Sequence, residues 1–169
     1  MSNNLEIEKK YIVESLDKVM EYVDLDQCTK LFIEQGYLSN NPTIRVRKYN
    51  NDYCITYKSR IKNTSSKDVI VNREVELPLT EESYYHMIDK IDYNLIKKTR
   101  YKIELEQGLV AELDVFDGKL KGLIMVEVEF DNEKVADKFV EPKWFGKNVS
   151  ADKKYKNLFL AQVESVDLL

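Results

Sequence analysis

Alternation with a period of two residues runs through most of residues 5–130 and constrains the fold more than any other feature of the sequence. In the first such stretch, "LEIEKKYIV", Leu5, Ile7 and Tyr11 alternate with charged side chains. Successive side chains of a β-strand point to opposite faces, so this pattern predicts strands with one apolar and one charged face. The same pattern, broken by turn signals, predicts eight strands, at residues 5–13, 35–38, 43–49, 53–60, 69–79, 95–106, 109–116 and 123–130.

The alternation is interrupted by segments with helical signals. "TEESYYHMIDKI" begins at Thr80 with an N-cap residue followed by acidic residues, and predicts a helix over 80–91. Shorter helices are expected at residues 15–22, 132–138 and 150–163. The predicted elements are mainly strands with a few helices, which predicts a mostly β (α+β) protein with an antiparallel sheet. We expect residues 1–169 to form a single domain.

Length and charge exclude several classes of protein. The chain has 169 residues and a net charge of −4, so no overall basic field favours nucleic acid. No apolar run approaches the length of a membrane span, and "MSNNLEIEKK" lacks the apolar core of a signal peptide. We therefore expect a cytoplasmic protein without nucleic-acid or membrane partners.

The charged faces tend to carry one sign per strand, which a solvated face seldom does. Basic positions lie on four strands and acidic positions on four, and the first strand carries both. The basic set is Lys10, Arg45, Arg47, Lys58, Lys98, Arg100 and Lys102. The acidic set is Glu6, Glu8, Glu74, Glu76, Glu112, Asp114, Glu127 and Glu129. Neighbours on one face lie roughly 6.5–7 Å apart, so like charges repel unless opposite charges or ions lie between them.

Two interpretations of these faces remain open from the residues alone. The first is a sheet whose charged face looks at water. The second is a closed barrel with its charged faces pointing into a central tunnel and its apolar faces covered by helices. In the second, guanidinium groups suit phosphate oxygens, and carboxylates suit Mg²⁺ or Mn²⁺. A metal-bound phosphate chain satisfies both sets of charges, and we favour this interpretation.

The order of several motifs resembles the CYTH superfamily, the triphosphate tunnel metalloenzymes. "EIEKK" at residues 6–10 is similar to the Glu-x-Glu-x-Lys signature of that family. The later elements fall in family order, and the resemblance covers nearly the whole chain: "IRVRK", "TYKSR", "REVELP", "KKTRYKIE", "AELDVFDG", "LIMVEVEF" and the tail "WFGKNVSADKKYKNLFLA".

This resemblance implies a closed antiparallel eight-stranded tunnel that acts on triphosphorylated substrates with Mg²⁺ or Mn²⁺. It implies metal ligands at Glu6, Glu8 and Glu129, with Glu127, Asp114 and Glu112 close to them. It implies triphosphate ligands at Lys10, Arg45, Arg47, Lys58, Lys98 and Arg100, while Lys153 and Tyr155 match the tail motif and would close one tunnel mouth. Arg73 also matches the family pattern, but its parity puts it on the opposite face, so either a bulge turns it inward or it is a surface residue.

The implied reaction is metal-assisted phosphoryl transfer to water, with Glu6, Glu8 and Lys10 as the catalytic group. Inorganic triphosphate is the expected substrate, because the tail is of the bacterial type and no purine-reading set is evident. Several alternatives remain: hydrolysis of thiamine triphosphate or of a nucleoside triphosphate, adenylyl cyclase activity, and a non-catalytic module that binds polyphosphate or nucleotide. Pairing of outer faces would give a homodimer. His86 and Trp144 are expected to be surface or packing residues rather than parts of the site.

Overall fold

The computed structural model describes residues 7–60 and 72–169, without the side chains of residues 60, 72, 73 and 107. Its strands are β1 (Glu8–Ile12), β2 (Thr29–Asn40), β3 (Thr43–Tyr49), β4 (Asp52–Arg60), β5 (Asn72–Pro78), β6 (Ile96–Glu104), β7 (Val110–Phe116) and β8 (Ile124–Glu129). Its α-helices are α1 (Leu16–Met20), α2 (Glu81–Ile88), α3 (Glu133–Lys138) and α4 (Asn157–Leu160). The predicted mostly β content is confirmed, and each predicted strand has a counterpart.

Local signals explain where the helices begin. The Thr80 hydroxyl accepts a hydrogen bond from the Ser83 amide at 3.1 Å, which caps α2 as the sequence indicates. The side chain of Asn132 caps α3 in the same way, through the Val135 amide. Among the described residues, no helix combines the length and the apolar character that crossing a membrane requires.

The eight strands form one antiparallel sheet in the order β1-β8-β7-β6-β2-β3-β4-β5. The register places Lys10 opposite Glu127, Arg100 opposite Asp114, and Lys58 opposite Glu74. Opposed residues of an antiparallel pair share a face of the sheet. We call the face that carries these charged pairs the inner face.

The predicted closed barrel is wrong, because the sheet does not close. β1 and β5 are its two edges, and within residues 7–60 and 72–169 no backbone pairing joins them. The C-terminal segment 146–150 occupies the edge of β1 instead. The Ile12 amide donates to the Lys147 carbonyl at 3.0 Å, and the Val149 amide donates to the Lys10 carbonyl at 2.8 Å. Since these hydrogen bonds use the outward backbone groups of β1, that edge cannot also pair with β5.

The main apolar core lies on the outer face of β1, β6, β7 and β8. Leu113, Val126 and Val128 are fully buried there and pack with residues from α1, α3 and the segment that contains Trp144. Trp144 is buried and contacts the ring of Phe145 edge-on, at 4.4 Å between ring centroids, as the packing interpretation expects. Helices do not cover the whole outer face, because Tyr57, Val75 and Leu77 on β4 and β5 are exposed. The homodimer through outer faces stays a prediction.

A second apolar cluster lies at one end of the inner face. Ile96, Phe116 and Met125 share the parity of the charged residues, yet they are buried against Leu160 and Ala161 in and after α4. The inner face is therefore charged over most of its length and apolar where the C-terminal residues pack on it.

Candidate active site

A cavity of about 1080 Å³ lies over the inner face. Its walls come from β1, β2, β3, β4, β6 and β8, and from α3 and the C-terminal residues 150–158. Charged residues of both signs line it: Glu8, Lys9, Lys10, Arg45, Arg47, Lys58, Lys98, Arg100, Glu127, Glu129, Glu133, Asp137 and Lys156. The charged faces that the sequence predicts are thus brought together at one site.

The first charged group of the site joins β1 to β8. Lys10 Nζ lies 2.8 Å from Glu127 Oε1 and 3.8 Å from Glu8 Oε1, and the side chains of Lys10 and Glu127 are largely buried. Glu8 and Glu129 are register partners across the same strand pair. The end of this strand pair at which β1 begins and β8 ends therefore presents two facing carboxylates next to one ammonium group.

The second group is centred on Asp114 of β7, which is 1% exposed. Its carboxylate accepts hydrogen bonds from Lys98 Nζ and from Arg100 Nε, the latter at 2.6 Å. Arg100 also contacts Glu112 on one side, and its Nη2 lies 3.4 Å from Glu127 on the other. Arg100 thus links the first group to the second, and one buried carboxylate holds two cations.

The third group belongs to β3, β4 and β5. Glu74 Oε1 lies 3.1 Å from Arg45 Nη2, and Glu74 Oε2 lies 3.4 Å from Lys58 Nζ. Arg47 contacts Glu76 and donates to the Thr56 hydroxyl at 3.1 Å. The Nε of Arg47 is buried and has no hydrogen-bond acceptor among the described residues.

Burial and charge pairing shift the pKa values of this network in opposite directions. Burial by itself raises the pKa of Glu127, but Lys10 and Arg100 outweigh it and hold that pKa well below its usual range. Burial likewise opposes the charge of Lys10, yet Glu127 and Glu8 raise the pKa of its ammonium group. For Lys98, burial prevails over the attraction of Asp114 and lowers the pKa. The Lys10–Glu127 pair is therefore fixed in its ionised form at neutral pH.

The structure brings most of the sequence-predicted residues to the cavity. Nine of them line it: Glu8, Lys10, Arg45, Arg47, Lys58, Lys98, Arg100, Glu127 and Glu129. Asp114 and Glu112 lie behind that lining, where they pair with Arg100. Lys153 is exposed and does not line the cavity. Glu6 lies outside the described residues, and so does the side chain of Arg73, whose backbone pairs with Ser59.

Sequence reasoning missed several residues of the lining. Gln35 and Tyr37 of β2 are buried beside the cations, and Gln35 Nε2 donates to the Tyr37 hydroxyl at 3.2 Å. No charge marks either residue in the sequence, and it is the register with β3 that places Gln35 opposite Arg47 and Tyr37 opposite Arg45. From the tail it is Lys156 rather than Lys153 that reaches the cavity, because residues 153–155 form a 3₁₀ turn.

The carboxylates of Glu8 and Glu129 meet part of what a hard divalent cation requires. Glu8 and Glu129 offer carboxylate oxygens, which Mg²⁺ and Mn²⁺ prefer. Within the described residues, no three acidic, histidine or cysteine side chains gather into a complete metal site. Mg²⁺ typically takes one or two carboxylates together with substrate phosphates and water, and two facing carboxylates match that requirement.

Comparison with known proteins identifies relatives over nearly the whole length. No family model matches the chain. It is 35% identical over 161 residues to an inorganic triphosphatase of Nitrosomonas europaea, covering 92% of this chain and 96% of that protein. It is 32% identical over 161 residues to an inorganic triphosphatase of Acetivibrio thermocellus, covering 90% of each. A crystal structure of an inorganic triphosphatase matches with a TM-score of 0.68 and 31% identity, covering 95% of this chain and 96% of that one.

Proposed function

Since the chain belongs to the CYTH family of inorganic triphosphatases, we propose that its charged cavity hydrolyses inorganic triphosphate to pyrophosphate and phosphate. One observation of the structure carries the proposal: the cations of three ion-paired groups, on four different strands, line a single cavity. A small anion needs fewer cations than this, whereas an extended polyanion contacts cations along its length.

The basic side chains are proposed to bind the phosphate chain. Arg45, Arg47 and Lys58 approach it from one side of the cavity, and Lys10, Lys98 and Arg100 approach it from the other. Guanidinium groups bind phosphate oxygens in a bidentate manner and stabilise the negative charge that develops on the transferred phosphoryl group. The buried donor on Arg47 Nε supports this assignment.

The charge balance of the inner face supports a requirement for metal ions. Carboxylates match basic side chains in number on this face, so a triphosphate alone would make the cavity strongly negative. Glu8 and Glu129 would hold Mg²⁺ or Mn²⁺, together with Glu6 by its place in the family motif. When bound, such an ion neutralises phosphate charge and increases the acidity of a bound water.

The remaining chemistry is assigned to the protein's own carboxylates. A water oxygen attacks the terminal phosphorus, the bond from that phosphorus to the bridging oxygen breaks, and pyrophosphate leaves. Glu8, at the edge of the cavity, is proposed to orient this water and to accept its proton. Lys10 Nζ lies 3.8 Å from Glu8 Oε1 and places a positive charge beside that carboxylate.

The test is phosphate release from inorganic triphosphate, ATP and thiamine triphosphate, each with Mg²⁺, Mn²⁺ or EDTA. We expect release to be fastest from inorganic triphosphate and to stop in EDTA. Equal release in EDTA would refute the metal requirement alone. Faster release from ATP or thiamine triphosphate, or formation of cyclic AMP from ATP, would refute the substrate assignment.

A further inference from the structure

Three cations of the cavity converge on one carboxylate that does not line it. Glu74 of β5 lies 3.1 Å from Arg45 Nη2, 3.8 Å from Arg47 Nη2 and 3.4 Å from Lys58 Nζ. All three cations line the cavity, whereas Glu74 lies beside them on the edge strand. We call these four residues the edge cluster.

The three cations cannot share this position without a counter-charge. Their side chains are only 13%, 14% and 24% exposed, so water screens their mutual repulsion poorly. Arg45 and Arg47 are two residues apart on one strand and present their guanidinium groups to the same face. If no carboxylate lay between them, rotation of the long side chains towards solvent would relieve the repulsion.

We infer that Glu74 is the positioning residue of the triphosphatase, which keeps Arg45, Arg47 and Lys58 directed into the cavity for the substrate. This inference rests on the proposed function. Glu74 contacts no part of the substrate itself; it acts through the three cations that do. Glu76 has a narrower role, because it contacts Arg47 and Thr56 and its side chain is 47% exposed.

The decisive variant is Glu74→Gln, which keeps the shape of the side chain and removes its charge. We expect KM for inorganic triphosphate to rise about tenfold, the scale on which partners of binding residues act, while kcat changes less than about twofold. Glu82→Gln removes the same charge from an exposed position of α2 and is expected to leave both constants unchanged. In an Arg45→Ala background, Glu74→Gln should raise KM by a smaller factor, because one of the side chains it positions is absent.

Calorimetric titration with Mg²⁺-pyrophosphate separates this inference from the proposed function. If the wild type binds pyrophosphate but releases no phosphate from triphosphate, the proposed function fails, and weaker binding by Glu74→Gln still supports the positioning role. An unchanged KM and unchanged pyrophosphate affinity in Glu74→Gln would overturn it. A lower KM would also overturn it, because Glu74 would then be a competing anion.

A second variant, Glu74→Asp, tests the inference if Glu74→Gln does not fold. Glu74→Asp keeps the charge but shortens the side chain by one methylene group, so it reaches the three cations less well. Assayed below its melting temperature, it should show a KM between those of the wild type and of Glu74→Gln. A wild-type KM in the folded Glu74→Asp protein would contradict the inference.

Discussion

Asp114 shows how much a single residue determines in this protein. Its carboxylate is buried and accepts hydrogen bonds from both Lys98 and Arg100. A buried ion pair adds little net stability, because desolvation offsets the attraction, but the loss of one partner leaves the other charge uncompensated. The ion pairs of Asp114 therefore add little net stability, but removal of its charge would leave Lys98 and Arg100 without their buried counter-charge.

The variant Asp114→Asn is expected to lower the free energy of unfolding by about 3–5 kcal/mol, because Lys98 and Arg100 would remain buried with less negative charge beside them. Urea-induced unfolding monitored by circular dichroism measures this change. Asp131→Asn, at an exposed position, serves as the control. Equal stability of Asp114→Asn and wild type would contradict the structural role.

Glu127 gives the protein a defined sensitivity to acid. Its folded-state pKa lies well below the unfolded-state value because Lys10 and Arg100 outweigh its burial. Such a group stabilises the fold above the unfolded pKa of about 4.3, and that contribution is lost as the pH falls towards the folded pKa. Between pH 5 and pH 3, the free energy of unfolding of the wild type should therefore decrease, by up to about 1.4 kcal/mol per pH unit from this group.

The comparison is with Glu127→Gln over the same pH range, by urea unfolding at each pH. This variant should be less stable at pH 7, because Lys10 loses its closest counter-charge. Its stability should also decrease less steeply between pH 5 and pH 3. Parallel curves for the two proteins would show that Glu127 has no depressed pKa.

At the scale of elements, the segment 146–150 is what ends the sheet at β1. It supplies backbone partners for Ile12 and Lys10, and the Ser150 hydroxyl accepts from the Lys10 amide at 2.9 Å. The approach is close at Gly146, where a Cβ atom would lie 2.5 Å from the Ile12 carbonyl oxygen. Only a residue without a side chain allows this contact.

Gly146→Ala should push the segment away from β1 and cost about 1–3 kcal/mol of stability. The Ile12 amide, which donates to Lys147, should then exchange its hydrogen faster than in the wild type. Hydrogen-exchange NMR or mass spectrometry of the β1 peptide measures this rate. Lys143→Ala changes an exposed residue of the same region and should leave the rate unchanged. Unaltered exchange in Gly146→Ala would mean that the segment tolerates a side chain there.

At the scale of the whole molecule, a bound ligand should stabilise the two ends of the open sheet together, and not only the strands beside one binding residue. The cavity draws cations from β1 at one edge and from β3 and β4 near the other. A bound polyanion would therefore connect the two ends of the sheet, which no backbone pairing joins in the described part of the chain.

Mg²⁺-pyrophosphate should raise the melting temperature in a concentration-dependent manner, equivalent to about 2.7 kcal/mol at one hundred times Kd. Differential scanning calorimetry measures this shift. Arg47→Ala should show a smaller shift at each concentration, because it lacks a proposed phosphate ligand. An equal shift in both proteins would place the bound anion elsewhere.

The sequence predicts the strands of this molecule well, because period-two alternation is a property of each strand alone. It does not predict whether the sheet closes into a barrel, because closure depends on pairing between backbone groups of β1 and β5, which the side-chain pattern does not indicate. β2 shows the same limit, since Lys30 and Phe32 on its outer face are exposed and "TKLFIE" lacks a clear alternation of apolar and polar residues. Of the site, the charged ligands follow from parity, whereas Gln35 and Tyr37 carry no charge and could not be recognised that way.

The ion pairs across neighbouring strands also have a consequence for how such proteins diverge. Lys58 and Glu74 are register partners, and loss of Glu74 would place Lys58 beside Arg45 and Arg47 without the carboxylate that the three cations share. Lineages that lose one of the two should therefore be rare unless the other changes as well. Across many related sequences, positions 58 and 74 are expected to vary jointly, so that a new substrate preference would arise through paired substitutions rather than single ones.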